Sequence, residues 1–72
     1  MQLNEAARHA ISAELAQRGI SQRALARMLG WSQTYLQNRI LGRYALTTTE
    51  VEQIAKALEV PVTQLIPVAA PQ

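Results

Sequence analysis

Two serine–glutamine pairs, Ser21-Gln22 and Ser32-Gln33, stand eleven residues apart, and Gly30 lies just before the second pair. Serine favours the N-cap of a helix because its hydroxyl accepts a hydrogen bond from a backbone N–H of the first turn. Glycine favours the position just after a helix because it adopts a positive φ without steric cost. The spacing therefore predicts a short helix that ends at Gly30, a tight turn, and a next helix capped by Ser32.

Helical patterns also flank this stretch. A first helix is predicted over residues 4–18, where apolar side chains recur every three or four positions. Asn4 is its expected N-cap, and Gly19 follows its last turn. Gly42 is placed in the same way to end the helix that begins after Ser32.

The last third of the chain predicts two more helices. The fourth can be capped by Thr47, Thr48 or Thr49, of which Thr47 or Thr48 is preferred, and carries apolar residues in an i, i+3, i+4, i+7 pattern. Pro61 suits the first position of a short fifth helix that ends near Ile66. Residues 67–72 contain two prolines and no charge, so we expect a frayed tail or the start of a linker.

Length and composition restrict the class of protein. Seventy-two residues, of which 49% are apolar, form one small all-α domain over residues 1–66. The sequence contains no cysteine and only one histidine, His9, to which we assign no role, so we expect no disulfide, metal or cofactor. No apolar run is long enough to cross a membrane, and no signal peptide is visible. We expect a cytoplasmic protein.

Charge is unevenly distributed along the chain. The formal net charge is only +2, yet residues 15–49 contain five arginines and no acid. These are Arg18, Arg23, Arg27, Arg39 and Arg43. Such asymmetry predicts an electropositive face and a polyanionic partner, whereas the simpler alternative is a set of merely solvated arginines.

Two short helices joined by a glycine turn form a helix-turn-helix unit, in which the N-terminus of the second helix can enter a DNA major groove. Ala26 is suited to the close helix contact, and an apolar set is expected to bury the unit: Leu25, Leu29, Trp31 and Leu36. The outward face of the second helix offers four uncharged polar residues as candidates for base contact: Gln33, Thr34, Gln37 and Asn38. A plain solvated helix face is the alternative interpretation.

The stretch "ISQRALARMLGWSQTYLQNRILGR", followed by "LTTTEVEQIAKALEVPVTQLI", resembles the helix-turn-helix domain of the Cro and phage-repressor family of transcriptional regulators. The resemblance covers about residues 5–66. It implies a compact five-helix, lambda-repressor-like fold with a recognition helix over about residues 33–41. It also implies that Gln22 and Arg43 meet phosphate, and that Gln33, Thr34 and Asn38 meet bases.

The full set of candidates for contact with the DNA backbone extends beyond these two residues. It comprises Ser21, Gln22, Arg23, Ser32, Tyr35, Arg39, Arg43 and Tyr44. The sequence departs from the family at Arg39-Ile40, where members often carry an aliphatic residue and then an acid. We expect Ile40 to close the core and Arg39 to point toward solvent or the DNA backbone, while Tyr35 is either partly buried or bound to phosphate.

The expected function is sequence-specific binding of double-stranded DNA by a regulator of the phage-repressor or Cro type. No nucleophile–base pair or phosphate-binding glycine loop is visible, so we expect neither catalysis nor a small-molecule ligand. We expect a palindromic or two-half-site operator, with weak self-association or a dimer on DNA. The alternative is a protein-interaction or antitoxin-type module of the same fold, which would expose an apolar patch at Trp31, Val60 and Val62.

Overall fold

The computed structural model describes residues 3–66, which form five helices and, over that range, no strand. The helices are α1 (Leu3–Arg18), α2 (Gln22–Leu29), α3 (Gln33–Leu41), α4 (Thr48–Leu58) and α5 (Val62–Leu65). The all-α, five-helix prediction is confirmed. The predicted tail, residues 67–72, lies outside the described residues.

Residue type explains where three of the helices begin. The Ser21 and Ser32 hydroxyls each accept a hydrogen bond, 3.0 Å long, from the backbone N–H three residues later. Thr47 does the same for the N–H of Glu50, whose carboxylate accepts in return from the Thr47 N–H. This reciprocal pair is a capping box, and it satisfies two backbone donors that the helix leaves unpaired. Both serine caps are confirmed, and Thr47 rather than Thr48 caps α4.

The core is built from one face of each helix. Its largest fully buried side chains come from all five: Ile11, Leu25, Leu36, Ile54, Leu58 and Leu65. Ala26 is also buried, which permits α2 and α3 to approach closely. Leu29, Trp31 and Ile40 are half-buried and pack against this core. Ile40 therefore closes the core as predicted, one helical turn after Leu36.

The prediction that Asn4 caps the first helix is wrong. The helix already includes Leu3, so Asn4 lies within α1. Its side-chain amide nitrogen donates to the carbonyl oxygen of Leu46 at 2.8 Å, and its amide oxygen accepts from the Leu46 N–H at 3.3 Å. Asn4 thus fastens the start of α1 to the segment that precedes α4.

The fifth helix starts one residue later than expected, with Pro61 in the N-cap position rather than in the first turn. The preceding helix, α4, has Glu59 as its C-cap, and this residue has the left-handed backbone conformation (φ 59°).

Within the described residues, no helix has the length and apolar character needed to cross a membrane.

Candidate nucleic-acid interface

The turn between α2 and α3 sets the direction of α3. Gly30 ends α2 in the left-handed conformation, with φ 75° and ψ 22°. The Trp31 N–H then donates back to the carbonyl of Ala26 at 2.9 Å, which closes the turn. Trp31 packs its indole against the core, so the chain is held on both sides of the glycine. The first turn of α3 follows directly, at the molecular surface.

The four predicted base-reading residues lie along one side of α3. Gln33 and Gln37 are one helical turn apart, as are Thr34 and Asn38, so each pair shares a side of the helix. Three of the four are exposed, and Asn38 is half-buried. The carbonyl of Asn38 accepts a hydrogen bond from the Arg43 N–H at 2.9 Å, which ties it to the end of the helix. The structure brings these residues together, and their contact with bases stays a prediction.

One of these glutamines is already hydrogen-bonded within the protein. The guanidinium Nε of Arg23 donates to the side-chain oxygen of Gln33 at 3.3 Å, across the α2–α3 turn. Both side chains are exposed, so water or a ligand can replace this long hydrogen bond. The contact leaves the Gln33 amide N–H groups available as donors, which suits the acceptor atoms of a purine in the major groove.

The caps and the start of α2 supply further predicted backbone contacts. Ser21 and Ser32 are exposed, and Gln22 is half-buried in the first position of α2. Each serine uses its oxygen as an acceptor for the cap, which leaves the hydroxyl hydrogen available to a phosphate. The positive end of the helix dipole favours an anion at the same place.

The arginines of residues 15–49 differ in how much of their charge is exposed. Two of them pair with the acids that border the segment: Arg18 Nε lies 2.9 Å from a carboxylate oxygen of Glu14, and Arg39 Nε lies 3.6 Å from one of Glu50. Arg18 nevertheless stays exposed, as do the other three: Arg23, Arg27 and Arg43. Arg39 does not point freely into solvent, because its side chain is only 18% exposed and lies against Glu50, and its contact with the DNA backbone stays a prediction.

An aromatic stack surrounds Arg39. Its guanidinium carbon lies 3.9 Å from the ring centre of Tyr35 and 5.2 Å from that of Tyr44. The rings of Tyr35 and Trp31 meet edge to face, with centres 5.0 Å apart. A cation over an aromatic face is attracted by the ring's negative charge distribution. Arg39 is thus held on the surface of α3 by Tyr35 on its own helix and Tyr44 beyond the C-terminus.

Glu50 connects this stack to α4. Its carboxylate accepts a hydrogen bond from the Tyr35 hydroxyl, and this bond raises the pKa of Tyr35 above its ordinary value. Burial acts to raise the pKa of Glu50, but the hydrogen bonds from Tyr35 and the Thr47 N–H, together with the Arg39 charge, outweigh it. The net pKa of Glu50 is therefore lowered, and the group is a buried carboxylate at neutral pH.

Comparison with known proteins identifies the architecture. The model of the helix-turn-helix family matches residues 11–65. The chain belongs to the helix-turn-helix family. No curated protein matches it in sequence.

Two solved structures resemble this helix-turn-helix domain. One is a hypothetical transcription factor, NHTF, from Neisseria, with a TM-score of 0.83 and 28% identity over 90% of this chain and 75% of that one. The other is the clp gene regulator ClgR from C. glutamicum, with a TM-score of 0.81 and 26% identity over 90% of this chain and 84% of that one. Family membership and these two regulators support a DNA-binding transcriptional regulator.

Sequence reasoning missed two residues of this helix-turn-helix domain. Glu50 was not singled out, although it follows Thr47 by three residues, which is the spacing of a capping box. Arg8 lies outside residues 15–49 and was not singled out, yet its guanidinium lies 3.0–3.2 Å from where a Cβ at Gly42 would be. Arg8 thus adds positive charge beside Arg43, and no local pattern in the sequence pointed to this contact.

The buried acids of the described residues have side-chain partners within the protein. Among the residues that the structure describes, no cluster of three or more histidine, cysteine or acidic side chains is placed to hold a metal ion. Glu14 is the other buried acid, and its pKa is lowered by hydrogen bonds from Arg18 and then Gln64. Both buried acids therefore serve as partners of neighbouring side chains.

Proposed function

We propose that this chain is a sequence-specific regulator of transcription, of the phage-repressor or Cro type, which reads the major groove of double-stranded DNA with α3. The observation that carries the proposal is the exposed, uncharged polar side of α3 at Gln33, Thr34 and Gln37. Amide and hydroxyl groups discriminate bases by hydrogen bonding, whereas arginines hold phosphates of any sequence.

Positive charge borders that polar side. Exposed Arg23 precedes it on α2, and exposed Arg43 follows it just after the end of α3. Arg8 approaches the same helix end from α1. This arrangement fits a helix that lies in the groove between two phosphate-binding edges. We further propose that two copies bind adjacent half-sites about one helical turn apart, because a single α3 covers only a few base pairs.

The alternative of an interaction or antitoxin-type module called for an exposed apolar patch at Trp31, Val60 and Val62. All three are half-buried and pack against the core, so these residues do not support it. The large apolar side chains that are exposed include Met28 and Leu41 instead.

Selection of bound sites from a random duplex library tests the proposal. We expect one enriched, two-fold symmetric site. On that site Gln33→Ala should weaken binding by about 1–3 kcal/mol and relax the preference at one base pair, while random DNA is affected little. Arg43→Ala should weaken binding to all sequences nearly equally.

A matched control is Gln53→Ala, which makes the same chemical change at an exposed position of α4. It should leave both the affinity and the selected site unchanged. A library that yields no enriched site would contradict sequence-specific binding. An equal loss on specific and random DNA with Gln33→Ala would contradict the role of α3.

A further inference from the structure

Glu50 is a buried acid directly beneath the proposed DNA-binding surface. It is 8% exposed, and its own backbone is fixed in the first turn of α4 by the capping box with Thr47. One carboxylate oxygen accepts from the Thr47 N–H at 3.0 Å and lies 3.6 Å from Arg39 Nε. The other accepts from the Tyr35 hydroxyl. A single carboxylate on α4 thus holds two side chains of α3.

Tyr35 and Arg39 also hold each other. They are one helical turn apart, and the Arg39 guanidinium stacks on the Tyr35 ring at 3.9 Å. Both are candidates for contact with the DNA backbone. A long side chain that becomes fixed only on binding loses conformational entropy at that moment, and the loss weakens the complex. A partner within the protein that fixes it beforehand removes that loss.

We propose that Glu50 is a positioning residue for DNA binding: its carboxylate holds Tyr35 and Arg39 in the conformations in which they meet the DNA backbone. This inference rests on the proposed function. It deepens that function, because it assigns a favourable role to an acid that lies next to a surface for phosphates. Arg39 Nε is buried and has no hydrogen-bond partner within the described residues, so the ion pair and the ring hold it rather than a direct hydrogen bond.

Simple electrostatics makes the opposite prediction. A negative charge close to the phosphates opposes binding, so its removal should strengthen the complex. Glu50→Gln separates the two explanations, because it removes the charge but keeps the side-chain size and the ability to complete a capping box. Glu50→Asp is its complement, since it keeps the charge but shortens the reach to Tyr35.

The experiment measures dissociation constants on the selected duplex for the wild-type chain and these two variants. The active fraction is determined by stoichiometric titration and the folded fraction by circular dichroism. If Glu50 positions the two side chains, both variants should bind roughly tenfold more weakly, as expected when two long side chains must be ordered on binding. Glu52→Gln is the matched control, because it neutralises an exposed acid on the same helix. It should bind within about twofold of the wild type, or slightly more tightly.

A spectroscopic measurement reports the contact itself. In a Tyr44→Phe background, Tyr35 is the one remaining tyrosine, and its ionisation can be followed by ultraviolet absorbance. The pKa of Tyr35 should fall toward its ordinary value in Glu50→Gln, because the hydrogen bond that raises it is weakened. A general loss of stability would not produce this change in the folded protein.

Two results would overturn the proposal. One is Glu50→Gln binding as tightly as the wild type or more tightly. The other is Glu50→Asp retaining full affinity. If one variant fails to fold, the other still decides, because electrostatics and positioning predict different outcomes for each. A wild-type chain that selects no DNA sequence would instead overturn the proposed function, and the two failures are therefore distinguishable.

Discussion

The Gly30 turn is the point at which a single side chain would disturb α2 and α3 together. We expect Gly30→Val to lower the free energy of unfolding by about 1–3 kcal/mol. The cause is conformational, because Gly30 has φ 75° and ψ 22°, where a β-branched residue is an outlier. A Cβ at this position would meet no atom within 4 Å, so the first side-chain atom causes no steric clash. Backbone strain is therefore the main expected cause of the loss.

Chemical denaturation and thermal unfolding, both followed by circular dichroism, check this value. For a domain of this size each kcal/mol shifts the melting temperature by about 4–8 °C. Gly30→Asn should cost less, because asparagine tolerates the left-handed conformation. The control is Ala13→Val, which places the same side chain at an exposed helical position of α1, where about 0.7 kcal/mol is the upper limit. Equal losses for Gly30→Val and Ala13→Val would refute the argument.

Three further predictions concern strain, pH and salt. Glu59→Gly should raise the free energy of unfolding by about 0.5–1 kcal/mol in urea denaturation, because Glu59 holds a positive φ of 59° that glycine adopts without strain. The pKa values of Glu14 and Glu50 are lower in the folded state, so the free energy of unfolding should fall as the pH drops from about 4.5 through those folded values. Urea titrations at several pH values measure this dependence, and Glu14→Gln should reduce it. In binding titrations log affinity should fall with log salt at a slope of about −3 to −4 per domain, because about −0.9 is expected for each phosphate met by Arg23, Arg27, Arg39 and Arg43, and a slope near zero would contradict phosphate contact.

The starts and ends of the helices were predictable because they depend on residues close in sequence. Ser21, Ser32 and Thr47 each cap a helix through a hydrogen bond to an N–H three residues away. Gly30 and Gly42 each end one through their own backbone conformation. These interactions need no distant partner, so residue type and spacing are sufficient to locate them.

Roles that depend on a distant partner were not predictable. Asn4 has the chemistry of an N-cap, but Leu46, 42 residues later, offers it a backbone donor and acceptor together. At the end of α4, neighbouring residues rather than a distant partner decide the backbone conformation. Val60-Pro61 disfavours continuation of the helix, and Glu59 then takes the conformation that a glycine takes at Gly30 and Gly42. The preference of Asn4 is thus outweighed by a distant partner, and that of Glu59 by the two residues that follow it.

The polar side of α3 was predictable as a set of residues, but the behaviour of its neighbours was not. The family resemblance indicated which positions face outward, and Gln33, Thr34 and Gln37 are exposed. Tyr35 allowed either burial or phosphate contact, and the structure gives it a hydrogen bond to Glu50 while 36% of it stays exposed. That partner lies in another helix, so helical periodicity within α3 does not reveal it.

The two acids that border residues 15–49 make the exposed positive charge more local than the sequence suggests. Glu14 pairs with Arg18 within α1, and Glu50 of α4 pairs with Arg39 of α3. In each pair a buried carboxylate holds the arginine, and the negative charge of the carboxylate cancels part of the arginine's electric field. The uncancelled charge is then concentrated on α2 and just beyond the end of α3. If α3 reads DNA as proposed, such a surface would direct DNA toward α3 by the position of its charges, whereas a uniformly basic chain would attract DNA to any face.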